Sequence, residues 1–306
     1  MRKETIKALI LALRPNQWVK NFILFSAIIF NGRLFYPEYF TLTLFGFMIF
    51  CCISSASYLF NDLIDLKSDR LHSEKKSRPL ASGKLSPSLA GEVAFLLFFF
   101  GLLSAILLSV SFFLVAAIFS VLHLLYSSVL KKHAVFDILA IAFSFILRAF
   151  AGEVLTGFHL PFWLFLTILF VALFVASTKR HAELLFQGTT ARSSLFQYRE
   201  HLLDFYTSMF GSAAILSYAL FTFLEEPPLF NAPFRSFLLN FLPYALERKW
   251  MIVTIPLVIF GLMRYAQLAY ESQEGEKPEK IITSDVPLIT SILIWGVAII
   301  LMLYIL

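Results

Sequence analysis

YFTLTLFGFMIFCCISSASYLF (residues 39–60) contains no Asp, Glu, Lys or Arg and passes straight into NDLIDLKSD (61–69). A helix needs about 20 mostly apolar residues to cross the hydrocarbon core of a bilayer. Residues 39–60 therefore read as a spanning helix with aspartates at its end. Eight further runs satisfy the same criterion: 18–36, 87–108, 111–129, 135–156, 161–178, 204–224, 249–270 and 286–306. The rest of the composition agrees. Of the 306 residues, 59% are hydrophobic, 36 are Phe and 15% are charged, whereas a soluble domain carries about a quarter charged residues. The expected fold class is an all-α integral membrane protein with nine spans, organised as one polytopic domain over 1–306.

The connections between these runs alternate in charge. One set holds Arg2, Lys3, Lys7, Arg14 and Lys20, the loop 62–87, Lys131 and Lys132, the segment 179–204 and the segment 271–285. The other set holds only Arg33, Arg235, Arg248 and Lys249, and Arg148 lies inside a span. The positive-inside rule puts the first set in the cytoplasm. In a plasma membrane, nine crossings from a cytoplasmic N-terminus leave the C-terminus outside. The net charge of +5 mostly reflects this asymmetry and gives no support to nucleic-acid binding. Residues 6–13 form a short apolar stretch that runs into Arg14-Pro15 without a small-residue cleavage site, so an interfacial helix fits better than a signal peptide. Cys51 and Cys52 are adjacent and apolar-flanked, which suits packing and neither a disulfide framework nor a zinc site. Ser109 to Ser111 reads as a tight helical hairpin. Residues 225–248 have room for a short interfacial helix, and 272–280 read as a connector.

Asp62, Asp65 and Asp69 are spaced i, i+3, i+7, within about 60° of one another if the helix continues through them. Like charges on one helical face repel, and a hard cation would offset that repulsion. Mg²⁺ suits the position because it binds through one or two carboxylates plus substrate phosphate oxygens. Arg70, His72, Lys75, Lys76 and then Arg78-Pro79-Leu80-Ala81-Ser82-Gly83-Lys84 come directly after. Carboxylates for a metal, cations for phosphate oxygens and a Pro/Gly turn together describe a diphosphate-binding loop. A merely solvated helix end explains the aspartates but neither the run of cations nor the turn.

The run Asn61 to Gly83 resembles the first aspartate-rich motif of the UbiA-type prenyltransferase superfamily. The span count agrees with a UbiA-like nine-helix bundle. Typical members carry a second aspartate-rich motif after the sixth span. Here that region reads Ser177-Thr178-Lys179-Arg180-His181-Ala182-Glu183, then Arg192, Ser193, Tyr198 and Arg199, so one carboxylate remains and cations dominate. This pattern, with Arg14-Pro15-Asn16-Gln17-Trp18-Val19-Lys20-Asn21, Lys179 to Leu184, Arg264-Tyr265 and Asp285, resembles the decaprenyl-phosphate phosphoribosyltransferase branch. That resemblance implies a Mg²⁺-dependent transfer of 5-phosphoribose from phosphoribosyl pyrophosphate to a polyprenyl phosphate, feeding cell-envelope glycolipids. It implies Asp62, Asp65 and Asp69 as catalytic metal ligands. Lys20, Asn61, Lys75, Arg78, Lys179, Arg180, Glu183, Arg192, Tyr198 and Arg199 would bind substrates. The active-site loops would be 61–87 and 179–203, and a homo-oligomer is left open.

The alternative enzyme is a prenyltransferase that moves a polyprenyl group from its diphosphate to an aromatic or other acceptor; the absent second aspartate motif speaks against it. A lipid-phosphate transporter would need polar groups or broken helices at mid-membrane, whereas charge here gathers at one face. No base is required to activate a phosphate nucleophile, so His72 and His181 need no catalytic role. Arg148 and Glu153 suit contacts within the bundle better than substrate contacts, and Asp137 suits a helix N-terminus.

Overall fold

The computed structural model describes residues 2–72, 75–187, 196–225, 240, 249–271 and 278–305. Arg192 and most of 225–248 and 272–280 lie outside them. Every regular element among the described residues is helical. The chain divides into two compact units. One comprises Met1–Ile28, Leu34–Phe158 and Thr190–Gln197; the other comprises Ile29–Arg33, His159–Thr189 and Tyr198–Leu306.

The first unit opens with α1 (Arg2–Leu13), a 3₁₀ helix (Pro15–Phe25) and α2 (Ser26–Phe30). Then come α3 (Pro37–Ile64), α4 (Leu66–Leu71), α5 (Pro87–Leu108), α6 (Val110–Ser128) and α7 (Phe136–Thr156). Prolines 37 and 87 sit in the first turns of α3 and α5, where a missing N–H costs nothing. The hairpin expected at Ser109 is present: its hydroxyl accepts from the Phe112 N–H at 3.5 Å and starts α6 one residue after α5 ends. Phe50, Phe112 and Phe119 fill the core between α3, α6 and α7 together with Leu24 and Leu147. A second core joins Ala8 and Ala12 of α1 to Leu59, Leu80, Leu85 and Ala90. It fastens the basic loop to the bundle through its two leucines.

The second unit contains α8 (Phe162–Gln187), α9 (Glu200–Leu224), α10 (Ile255–Glu271), α11 (Pro278–Ser284) and α12 (Val286–Ile300). α8 packs along α9. Tyr218, Thr254 and Trp295 form a buried chain, with Tyr218 Oη 2.6 Å from Thr254 Oγ1 and accepting from Trp295 Nε1 at 2.7 Å. Such chains satisfy polar groups that lipid cannot.

Eight helices among the described residues are long and apolar enough to cross a membrane, and together they make this a multi-pass membrane protein. The expected span 18–36 is not among them. Its sequence forms the 3₁₀ helix and the five-residue α2 instead. The reason is a polar inner face. Trp18 Nε1 donates to Ser55 Oγ at 3.0 Å, Asn21 Oδ1 accepts from Arg148 Nε at 2.7 Å, and Leu24 is fully buried. Every third residue points inward, which is the 3₁₀ period.

Candidate active site

Asp62 occupies the last turn of α3 and is 2% exposed. The helix does not continue through the motif. Asp65 stands between α3 and α4 with φ −84° and ψ 1°, its N–H still bonded to the Asn61 carbonyl at 2.9 Å. That break separates the three aspartates into two groups and replaces the single stripe expected of a continuous helix. Arg78 Nη1 donates to Asp62 Oδ1 at 3.2 Å and to Asp69 Oδ2 at 2.7 Å, so one guanidinium nitrogen bridges two buried carboxylates. Arg14 Nη2 reaches the same Asp62 oxygen at 2.5 Å. Lys131 Nζ donates to Asp65 Oδ1 at 2.6 Å and to Asn61 Oδ1 at 3.0 Å, while Asn61 Nδ2 donates to Asp65 Oδ2 at 3.1 Å.

Each cation is held by its own element. Arg14 adopts the left-handed conformation (φ 53°, ψ 60°) directly before Pro15, an uncommon backbone state for a residue with a Cβ. Its guanidinium lies 5.1 Å from the Tyr58 ring centroid. Arg78 opens a turn in which the Ser82 N–H bonds its carbonyl at 2.9 Å and Gly83 takes φ +76°, with Leu80 and Leu85 buried beneath. Lys131 lies in a 3₁₀ turn, Leu130–Lys132. The chain just after it is tied by Gln197, whose Oε1 accepts from the Ala134 N–H at 2.9 Å.

These residues fit a divalent cation. Oxygen donors converge on two points, each holding a side-chain cation: Asp62 and Asp69 around Arg78 Nη1, and Asp65 and Asn61 around Lys131 Nζ. An all-oxygen donor set suits a hard ion. Among the described residues no three His, Cys, Asp or Glu side chains complete a cage, so a metal here would take its remaining ligands from substrate or water.

In the second unit, Arg180 is fully buried and pairs through Nη1 with Glu183 Oε2 one turn later. Lys179 is half-buried beside it. His181 stacks on Tyr270 at 4.1 Å, and Asp204 Oδ1 lies 3.1 Å from His181 Nε2 and 3.0 Å from Tyr270 Oη. This gives His181 a packing role. Tyr198 is buried and exposed Arg199 precedes α9. Arg264 grips Asp285 with two nitrogens, at 2.7 and 3.2 Å, and Asp285 caps α12 through the Leu288 N–H at 2.9 Å.

The Arg264 bond holds the Asp285 carboxyl below its ordinary range, with the Leu288 N–H adding to the effect. A depressed carboxylate pKa stabilises the fold above the unfolded value, about 3.9. Wild type should therefore melt above Asp285→Asn at neutral pH. That advantage should fade as pH falls through the lowered pKa, which melting curves of both proteins across acidic pH would read.

Of the residues expected in the site, Asp62, Asp65, Asp69, Asn61 and Arg78 lie together, joined by Arg14 and Lys131, which the sequence did not single out. Lys20 and Lys75 are half-buried on the first unit.

Residues 22–283 match the model of the UbiA prenyltransferase family. The chain is 32% identical to a decaprenyl-phosphate phosphoribosyltransferase of Corynebacterium glutamicum, over 99% of this chain and 89% of that protein. It is 31% identical to the enzyme of that name from Mycolicibacterium smegmatis, over 96% and 91% of the two chains. The fold is also that of a UbiA homologue from Archaeoglobus fulgidus, solved bound to GPP and Mg²⁺, with a TM-score of 0.67 at 19% identity over 95% of this chain and 96% of that one.

Proposed function

This chain belongs to the UbiA prenyltransferase family, and from that premise we propose that it transfers 5-phosphoribose from phosphoribosyl pyrophosphate to a polyprenyl phosphate. The observation that carries the reading is similarity of about a third, over nearly the whole length of both chains, to two decaprenyl-phosphate phosphoribosyltransferases. The site chemistry supports it. One carboxylate-rich motif serves one leaving diphosphate, and the cation-rich segment 179–199 serves the other phosphates of two anionic substrates.

Asp62, Asp65 and Asp69 would hold Mg²⁺, which would supply positive charge against the leaving diphosphate. Arg14, Arg78, Lys75 and Lys131 donate to diphosphate oxygens as charge builds there. Lys20, Asn61, Lys179, Arg180, Arg192, Tyr198 and Arg199 bind the remaining phosphates and ribose hydroxyls, with Glu183 holding Arg180 in place. The C1–O bond to diphosphate breaks and its electron pair leaves with the diphosphate. An oxygen of the lipid phosphate forms the new bond to C1. That oxygen is ionised near neutral pH, so no general base takes part. The active face is assigned to the cytoplasm of a plasma membrane, with the N-terminus on the same side, because its loops hold the basic residues; the C-terminus then lies outside only if residues 15–30 cross as a ninth segment beside the eight spanning helices.

Purified protein in detergent, given Mg²⁺, radiolabelled phosphoribosyl pyrophosphate and decaprenyl phosphate, should move label into the organic phase, and EDTA should stop it. No transfer, with polyprenyl diphosphate consumed in the presence of an aromatic acceptor, would overturn the reading.

A further inference from the structure

α6 ends at Ser128 and α7 begins at Phe136. Within this short reversal the chain adopts a costly conformation. Val135 takes φ +68° and ψ −51°, and the Phe136 N–H bonds the Ala134 carbonyl at 2.8 Å. A three-residue hydrogen-bonded turn with a positive central φ is the rare, strained γ form. Valine suits it badly, because its branched Cβ crowds the backbone at positive φ. Such a state persists only where the surroundings impose it, and it concentrates where geometry matters to function.

Gln197 is placed to impose it. His133 is extended (φ −113°, ψ 128°), which turns the Lys132 carbonyl and the Ala134 N–H to one side. The Gln197 side chain meets both: Oε1 accepts from the Ala134 N–H at 2.9 Å, and Nε2 donates to the Lys132 carbonyl at 3.4 Å. One amide thus pairs with the backbone on both sides of His133, as a neighbouring strand would. Gln197 is exposed, so it acts here through these two bonds and not through burial. On the other side of the same reversal, Lys132 and His133 are exposed while Lys131 is buried. Its Nζ reaches Asp65 Oδ1 at 2.6 Å and Asn61 Oδ1 at 3.0 Å. The direction of that side chain is therefore set by a segment strained at Val135 and clamped around His133.

We propose that Gln197 is a positioning residue: by holding the turn at Val135 in its strained form, it keeps Lys131 aimed at the Asn61 and Asp65 oxygens. A pair of surface hydrogen bonds is about as large as the strain it opposes. The clamp is enough to hold the turn, and its loss is enough to release it. What Lys131 then does rests on the transferase reading, in which its ammonium donates to the leaving diphosphate. Without the clamp, Val135 relaxes to negative φ, the Lys131 stem swings off Asp65, and the diphosphate loses one donor as charge builds on it.

The test is the reactivity of Lys131 toward an amine-acylating reagent, on the purified protein in detergent without Mg²⁺, read by mass spectrometry that resolves Lys131 from Lys132. Wild type should label buried, paired Lys131 slowly and exposed Lys132 quickly. Gln197→Ala should speed Lys131 by about fivefold, the worth of one ordinary hydrogen bond, and leave Lys132 unchanged. Adding Val135→Gly should return Lys131 to near the wild-type rate, because glycine holds a positive φ without steric cost and the turn then needs no clamp. A glutamine that only supported the fold would not be rescued by a change at the turn. Gln197→Met, which keeps the shape and loses both bonds, replaces Gln197→Ala should alanine fail to fold. In the transfer assay Gln197→Ala should lower kcat by a similar factor and add nothing to Lys131→Met, because it acts through that lysine. Equal Lys131 rates in wild type and the Gln197 variant, or a Lys131 that stays fast after Val135→Gly, overturns the proposal. Transfer by wild type with Lys131 indifferent to Gln197 sinks this inference alone. Lys131 rates that follow Gln197 in a protein that transfers nothing sink the transferase reading alone.

Discussion

Asp62→Asn should slow turnover by on the order of 10²–10³-fold, the range seen when one preorganised electrostatic group is removed from an active site, with little change in melting temperature. Asn retains an oxygen for the two guanidinium groups that Asp62 binds, at 2.5 Å to Arg14 and 3.2 Å to Arg78. It removes the negative charge that the proposed metal site requires at this position. Asp62→Ala is the less informative variant. It strips a buried acceptor from two cations, and breaking such a pair costs about 3–5 kcal/mol, so lost activity could be lost fold. Asp65→Asn probes the other group of donors, the one around Lys131, and should cost activity similarly. Near-wild-type turnover in a folded Asp62→Asn protein, assayed with saturating Mg²⁺, would remove the metal from that carboxylate.

The second large effect lies far from any charge. A Cβ added to Gly152 would sit 2.0 Å from the Leu24 carbonyl oxygen and 2.9 Å from its carbon. The obstacle is backbone, so no rotamer change relieves it. The 3₁₀ helix and α7 would have to separate, taking Asn21 away from Arg148 at the same time. Gly152→Ala should therefore destabilise the protein by about 3 kcal/mol, the upper part of the usual range for overpacking a core. The control is Gly91→Ala, where the new methyl would meet only Leu63 Cδ1 at 3.9 Å. That change should be neutral or mildly stabilising, because alanine is the better helix former. Equal melting temperatures for the two variants would mean that the close approach at Leu24 yields easily.

These two positions also mark where the sequence was informative and where it was not. The aspartates, the cations after them and the Pro/Gly turn are contiguous, and their order alone suggests the diphosphate loop proposed here. Arg14 and Lys131 complete that site from 48 and 66 residues away. Sequence spacing carries no signal over such separations. The break at Asp65 was also hidden, because neither Gly nor Pro announces it and three aspartates at helical spacing suggest an unbroken stripe. Gly152 reads as one more small residue in an apolar run until Leu24 is seen against it. The hydropathy of 18–36 was real, but hydropathy measures how greasy a segment is and not how tightly it is wound. Arg148 lay between a bundle contact and a substrate contact for the same reason: its partner Asn21 is 127 residues away.

The tight winding of Pro15–Phe25 gives this segment an arithmetic of its own. At three residues per turn, positions three apart eclipse one another, so Trp18, Asn21 and Leu24 share one reading frame. A point substitution in that frame damages one contact. Deleting one residue ahead of Trp18 turns everything downstream by about 120° and replaces Trp18 and Asn21 on the inward face with exposed Val19 and Phe22. This stretch of chain therefore has a codon-like grammar, tolerant of changed letters and intolerant of a shifted frame.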